Sequence, residues 1–191
     1  MKEDIEIFTD HWVFTRSIYL HARELFENRS ADDKALMRMT ADMFFGDLNR
    51  VFNEYVILQV CKITDPAHDI YKNDNHTITF LLEHYDFSGD SSILKRLGEL
   101  NASMQAFRNK LLPARNKLIS HLDRDAILAG HPLGAATDKE WSQFWLDLQE
   151  FIYIVRRKVT GSSFYLNGVA VRSDAGDLLK ALRRPPRYPT T

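Results

Sequence analysis

Residues 43–64 have the sequence MFFGDLNRVFNEYVILQVCKIT, and this stretch is the strongest indication of the fold. Its apolar side chains recur at helical spacing, within a helix that we expect from about Asp33 to Thr64. They lie on more than one face, which is typical of a helix surrounded by other helices. The pair Asp65-Pro66 ends the helix, because a residue before proline avoids helical backbone angles.

The segments on either side of this central helix are also helical in pattern. Residues 4–27 carry apolar side chains near helical spacing, and residues 28–30 interrupt the pattern. Downstream, residues 66–76 are polar and irregular, and a short helix is expected at residues 77–85.

Two longer helices follow, each with its own start signal. Asp90 can cap the first, and Pro113 is expected to kink or interrupt it. Thr137 and Glu140 form a capping box before the second, which is expected to end before Gly161. The expected inner face of the first consists of Ile93, Leu94, Leu97, Leu100, Met104 and Phe107. The aromatic residues of the second, Trp141, Phe144, Trp145 and Phe151, are expected in the core.

These patterns predict an all-α fold, a helical bundle of four to five main helices with a short C-terminal appendage. We assign residues 1–160 to the bundle and residues 161–191 to the appendage. In the appendage, a small hairpin is expected at residues 164–171 and a short helix at residues 174–183. A length of 191 residues is ordinary for one domain.

The composition narrows the functional classes without selecting one. The formal net charge is −1, so a nucleic-acid site would have to arise from local clustering of basic residues. The basic groups 156–158 and 183–187 are candidates for phosphate contact, or are simply solvated. The only cysteine, Cys61, excludes an intrachain disulfide and a Cys-based zinc site, and its apolar surroundings favour an unreactive core thiol.

The sequence also predicts the cellular compartment. The acidic N-terminus lacks the continuous apolar stretch of a signal peptide. The most apolar region, residues 43–63, carries charged side chains, and placing these in a bilayer would cost much free energy. We therefore expect a cytoplasmic protein without a membrane partner.

Residues 114–125, ARNKLISHLDRD, carry the functional prediction. On a helix with about 100° per residue, Arg115 falls near the middle of an apolar arc and His121 at its edge. The two lie roughly 120° apart around the axis and about 9 Å apart along it. A guanidinium is seldom buried without partners, so Arg115 either pairs inside the fold or faces a cleft or interface.

An arginine and a histidine suit RNA cleavage. Attack by the RNA 2′-OH needs a proton acceptor near neutral pH, which an imidazole supplies, and donors at the phosphate, which a guanidinium supplies. No metal or other cofactor is required for this chemistry. The alternative is structural: Arg115 in a buried ion pair and His121 on the surface. Lys117 would lower the pKa of His121 and Asp125 would raise it.

The string ARNKLISH at residues 114–121 resembles the signature of the HEPN superfamily, an Arg with a following polar residue and a His after four to six intervening residues. Here the polar residue is Asn116 and five residues intervene. CKITDP at 61–66, TITFLLEHYD at 77–86 and the run from Arg115 to Asp123 are similar to the abortive-infection, U-type branch. The likeness covers roughly residues 5–160.

The resemblance implies an antiparallel bundle that forms a homodimer, with two copies of the motif in one composite site. Many members are metal-independent ribonucleases of toxin–antitoxin or antiphage systems, so RNA and an antitoxin are possible partners. By position, Arg115 would stabilise phosphate charge, His121 would transfer the proton, and Asn116 would hold the phosphate. Lys117 would contact substrate and Asp123 would orient the histidine.

Two alternatives stay open at this stage. A non-catalytic interaction module would dock a protein partner on the face around Arg115. That interpretation is favoured if Arg115 pairs with a core carboxylate such as Asp47, Glu54 or Asp65. A metal could also bind His68, His76, Asp69 and Asp74 in one loop, although solvated loop histidines are commoner and we expect no metal. Strings typical of nucleotide triphosphatases or α/β-hydrolases do not occur in the sequence.

Overall fold

A computed structural model describes residues 2–119 (without the Leu118 side chain), 128, 136–162 and 175–183. In this part of the chain the regular elements are all helices, so the all-α prediction is confirmed. Single π-helical turns occur at Arg23–Glu27 and Arg115–Ile119. The α-helices are α1 (Lys2–Ala22), α2 (Ala31–Ile63), α3 (Ile78–His84), α4 (Ser91–Ala114), α5 (Asp138–Thr160) and α6 (Ala175–Leu182).

The chain divides into two compact units. Unit 1 consists of Met1–Val13 and Ile57–Val169, and unit 2 consists of Phe14–Val56 and Ala170–Thr191. Helices α1 and α2 each contribute residues to both units. The assignment of residues 161–191 to a separate appendage stays a prediction, and the expected hairpin at residues 164–171 lies outside the described residues.

The long helix α2 has the predicted ends but not the predicted continuity. Ser30 Oγ accepts a hydrogen bond from the Asp33 amide at its start, and the helix ends at Ile63, before Asp65-Pro66. At Ala41 the backbone leaves helical angles, with φ −165° and ψ 74°. The expected single helix is therefore interrupted at Ala41, where the local sequence has neither glycine nor proline to signal it.

The predicted start and stop signals of the other helices are confirmed. Asp90 accepts hydrogen bonds from the amides of Ser92 and Ile93, and caps α4. Thr137 and Glu140 form both arms of the capping box of α5. Gly161 ends α5 with φ 71°, a left-handed conformation that glycine adopts without steric cost. Because these signals involve neighbours in sequence, they did not depend on the tertiary fold.

Pro113 lies inside α4, which ends one residue later at Ala114. Immediately afterwards the helix widens into the π-helical turn Arg115–Ile119. The Arg115 amide donates to the carbonyls of both Leu111 and Leu112, a shared hydrogen bond that is common at helix ends. The interruption predicted for Pro113 thus occurs as a change of helix type two residues later.

The core of unit 1 is built from the inner faces of its helices. Phe107 of α4 packs against Trp141 and Phe144 of α5, each with a ring-centroid distance of 4.9 Å. The prediction for the inner face of α4 is wrong at Leu94, which is 51% exposed. The most deeply buried side chains include Ile5, Phe8, Val60, Leu97, Leu100, Met104, Leu148, Phe151 and Val155.

Unit 2 has its own small core. Helix α6, which matches the short helix predicted at residues 174–183, buries Ala175 and Leu179 against Leu25, Met37 and Phe45. None of the helices in the described part of the chain is both long enough and apolar enough to cross a lipid bilayer.

Candidate functional site

Arg115 begins the π-helical turn that follows α4, directly after the buried residue Ala114. Its side chain is half-buried. Nη1 donates a hydrogen bond of 2.8 Å to Asn116 Oδ1. Nε is buried and has no hydrogen-bond partner among the described residues. The guanidinium therefore donates to Asn116 through Nη1, while Nε is a buried donor without a described acceptor.

Two of the three candidate carboxylates for an internal ion pair have other partners. Asp65 pairs with Arg108, and Glu54 pairs with Arg50 at 2.7 Å. Among the described residues, no carboxylate forms an ion pair with Arg115. An ion pair between Arg115 and a core carboxylate would have favoured a purely structural role, and none occurs in the described part of the chain.

Arg115 instead lines a cleft of about 490 Å³ in unit 1. Residues from α1, from the end of α2 and from the loop before α3 form the other walls. Asp65 lies in the same cleft, with its charge matched by Arg108. The remaining polar lining residues are His11, Gln59, Lys62, Asn75, His76 and Thr77.

The two histidines of the cleft differ in their surroundings. Burial lowers the pKa of His11 below 6.5, and the nearby charges of Lys62 and His76 lower it further, while Gln59 opposes the shift. His11 is therefore a neutral imidazole at neutral pH, able to accept a proton or a hydrogen bond. His76 Nε2 lies 3.4 Å from Asp4 Oδ1.

The sequence did not single out His11 as a site residue. Ile7, Phe8 and His11 have the spacing of one helical face, which the sequence shows. That this face meets Arg115, more than a hundred positions later, is a tertiary contact without a local signal.

The predicted site residues are only partly described. Asn116 and Lys117 are exposed, and Asn116 accepts the hydrogen bond from Arg115. His121 and Asp123 lie outside the described residues. Their position relative to Arg115 stays a prediction.

Cys61 is fully buried, as expected for a core thiol. Burial raises its pKa to about 11, and this exceeds the opposing effects of the Arg108 and Arg115 charges. The thiol is therefore protonated at neutral pH and is a poor nucleophile or metal ligand.

The histidines of the loop before α3 point to different carboxylates. His68 Nδ1 lies 2.9 Å from Asp74 and Nε2 lies 3.5 Å from Glu83, while His76 faces Asp4. Of the four residues considered for a loop metal site, His68 and Asp74 contact each other, whereas His76 contacts Asp4 instead. No group of three or more metal-binding side chains occurs among the residues that the structure describes.

The basic clusters are partly engaged in ion pairs. Arg156 pairs with Glu6 at 2.7 Å in unit 1, and Arg183 pairs with Asp33 in unit 2. Arg157 and Lys158 are exposed. Arg184 and Arg187 lie outside the described residues.

Comparison with known proteins gives one match. The family model HEPN_AbiU2 (AbiU2) matches residues 5–175. This range includes the whole cleft and the string at residues 114–121. No curated protein and no solved structure matches the chain significantly.

Proposed function

The chain belongs to the HEPN_AbiU2 family, and on this basis we propose that it is a metal-independent endoribonuclease of a toxin–antitoxin or antiphage system. Its composite site would form from Arg115 and His121 of two copies at a homodimer interface. The observation that carries the proposal is Arg115 itself: a half-buried guanidinium, unpaired with any described carboxylate, in the wall of a cleft.

The proposed reaction is a transesterification followed by release of the strand. His121 accepts the proton of the ribose 2′-OH, and the 2′-oxygen forms a bond to phosphorus. The bond from phosphorus to the 5′-oxygen breaks, and a proton donated by a histidine converts the leaving oxygen into a hydroxyl. The products carry a 2′,3′-cyclic phosphate and a 5′-OH, so atoms and protons balance.

The described side chains suit the electrostatic part of this reaction. Arg115 is half-buried in the wall of the cleft, so its guanidinium can donate to a phosphate oxygen there. Asn116 accepts a hydrogen bond from Nη1 of the same guanidinium. Lys117 is exposed and can contact a neighbouring phosphate, and Asp123 would orient His121.

The test is cleavage of an RNA pool in EDTA by the wild-type protein, His121→Ala, Arg115→Ala and the control Arg157→Ala. We expect cleavage with cyclic-phosphate ends by the wild type and the control, and none by the other two variants. Equal cleavage by all four proteins would assign the activity to other residues. A folded wild-type protein that cleaves no RNA would exclude the ribonuclease.

An interaction module without catalysis is the second candidate. Exposed apolar side chains around the interruption of α2 favour it, namely Met39, Met43 and Phe44. In that case Met43→Glu would abolish association with a partner protein or a second copy, and Arg115→Ala would have no effect on RNA.

A further inference from the structure

Three residues that line the cleft beside Arg115 each have a buried polar atom without a hydrogen-bond partner among the described residues. These atoms are the donor Arg115 Nε, the acceptor Gln59 Oε1, and His76 Nε2, which lies 3.4 Å from Asp4 Oδ1. Gln59 is only 7% exposed, and its side chain opposes the lowering of the His11 pKa by burial. Buried polar groups are nearly always paired, so a ligand that offers both an acceptor and a donor would complete the pairing.

The charges of the cleft favour an anion. Lys62 and Arg115 are cationic, while Asp65, the only carboxylate among the described lining residues, already pairs with Arg108. A phosphate group close to Lys62 and Arg115 would therefore meet two cations with little opposing charge.

The cleft also has an apolar lining. Phe8 and Ile63 form its buried part, and Ile7 stands at the edge, 51% exposed. An exposed isoleucine beside a cleft offers a surface for the face of a planar ring. The volume of about 490 Å³ lies in the range of small-ligand sites, roughly 300–1,000 Å³.

From this arrangement we propose that the cleft binds one nucleotide of the RNA strand, next to the bond that is cut. Its phosphate lies between Arg115 and Lys62, its base packs on Ile7, and a base N–H donates to Gln59 Oε1. This inference rests on the proposed function, because Arg115 belongs to both the cleft and the cleavage motif. Gln59, Lys62 and Ile7 bind substrate and do not take part in the chemistry, so their loss raises KM and leaves kcat unchanged.

The first experiment measures binding of a fluorescein-labelled, single-stranded 2′-O-methyl oligonucleotide of mixed sequence, which cannot be cleaved because it lacks the 2′-OH. Ile7→Asp puts a negative charge at the edge of the cleft, and we expect about tenfold weaker binding. Its control is Leu94→Asp on α4, since both residues are 51% exposed. The control should bind like the wild type.

The second pair of variants tests the phosphate contact. Lys62→Gln should weaken binding several-fold and reduce the slope of log affinity against log salt by about 0.7, the value for one phosphate contact with a single strand. Its control, Lys95→Gln, removes an exposed lysine of α4 that does not line the cleft. Gln59→Leu should weaken binding about two- to tenfold by loss of one hydrogen bond, with folding checked by circular dichroism.

The same variants separate this inference from the ribonuclease proposal. If the wild type cleaves RNA and Ile7→Asp, Lys62→Gln and Gln59→Leu bind and cleave like the controls, the cleft assignment is overturned and the ribonuclease stands. If the wild type cleaves no RNA but these variants still bind the oligonucleotide more weakly than the controls, the cleft is a strand-binding site and only the ribonuclease fails. Displacement of the oligonucleotide by an equal concentration of AMP would show that the cleft binds a free nucleotide and would overturn the proposal that it binds an RNA strand.

Discussion

Asp65 pairs with Arg108, although Asp65 and Arg115 line the same cleft. The two side chains of this pair are only 17% and 23% exposed, so solvent screens their interaction weakly. Among the described residues of the cleft, Arg108 thereby holds the carboxylate that could otherwise neutralise Arg115. Arg108 and Arg115 lie in one helical segment, and the tertiary fold pairs Asp65 with Arg108.

Removal of Arg108 should therefore damage both stability and activity. We expect Arg108→Gln to lower the free energy of unfolding by about 2 kcal/mol, between the values for exposed and fully buried pairs. Asp65 would then be free to attract Arg115 and weaken phosphate binding. Urea denaturation and RNA cleavage measure the two effects. The double variant Arg108→Gln/Asp65→Asn should recover cleavage, and a double variant as inactive as Arg108→Gln would contradict this account.

The geometry of the Arg115 guanidinium should matter as well as its charge. Arg115→Lys keeps the cation but loses the planar fork and the Nε donor. We expect it to cleave RNA at least tenfold more slowly than the wild type, and Arg115→Ala about 10²- to 10³-fold more slowly, the usual effect of losing a donor to a transition state. Single-turnover cleavage measures both. Full activity of Arg115→Lys would show that charge alone suffices.

The lowered pKa of His11 should make stability depend on pH. In the unfolded chain His11 takes up a proton as the pH falls through about 6.5, while the folded protein binds that proton only at lower pH. Between these values the unfolded state holds more protons, so this contribution to stability is complete above pH 6.5 and is lost as the pH falls through the window. The described groups that affect the pKa of His11 include Gln59, Lys62 and His76.

The measurement is urea denaturation of wild type and His11→Gln between pH 5 and pH 8. The stability of the wild type relative to the variant should decrease on acidification below pH 6.5 and stay constant above it. A difference that is the same at every pH would mean that His11 titrates alike in the folded and unfolded chains.

Two glycines in unit 1 should respond oppositely to alanine. Gly161 has a positive φ of 71° at the end of α5, so Gly161→Ala should cost about 1 kcal/mol. Gly98 lies inside α4, with open space where a Cβ would stand, so Gly98→Ala should stabilise the protein by about 0.5–1 kcal/mol. Thermal unfolding of both variants tests the contrast, and a stabilised Gly161→Ala would exclude a strained alanine there.

Much of the secondary structure followed from neighbours in sequence. The caps at Asp90 and Thr137 and the stop at Gly161 involve residues within one helical turn, so their chemistry is visible in the chain itself. The interruption of α2 at Ala41 has no such signal. Leu94 was misjudged because periodicity gives the width of an apolar face but not which of its edges a neighbour covers.

For the candidate site, the sequence supplied the all-α fold, the HEPN-like string and the unusual position of Arg115 on an apolar arc. It left open whether Arg115 pairs inside the fold or faces a cleft. Tertiary packing settled this among the described residues, by joining Asp65 to Arg108 and by bringing His11, Gln59 and Lys62 to the wall that Arg115 completes. The physical reason is range: caps and helical faces depend on atoms a few residues apart, whereas a cleft depends on which distant helices share a core.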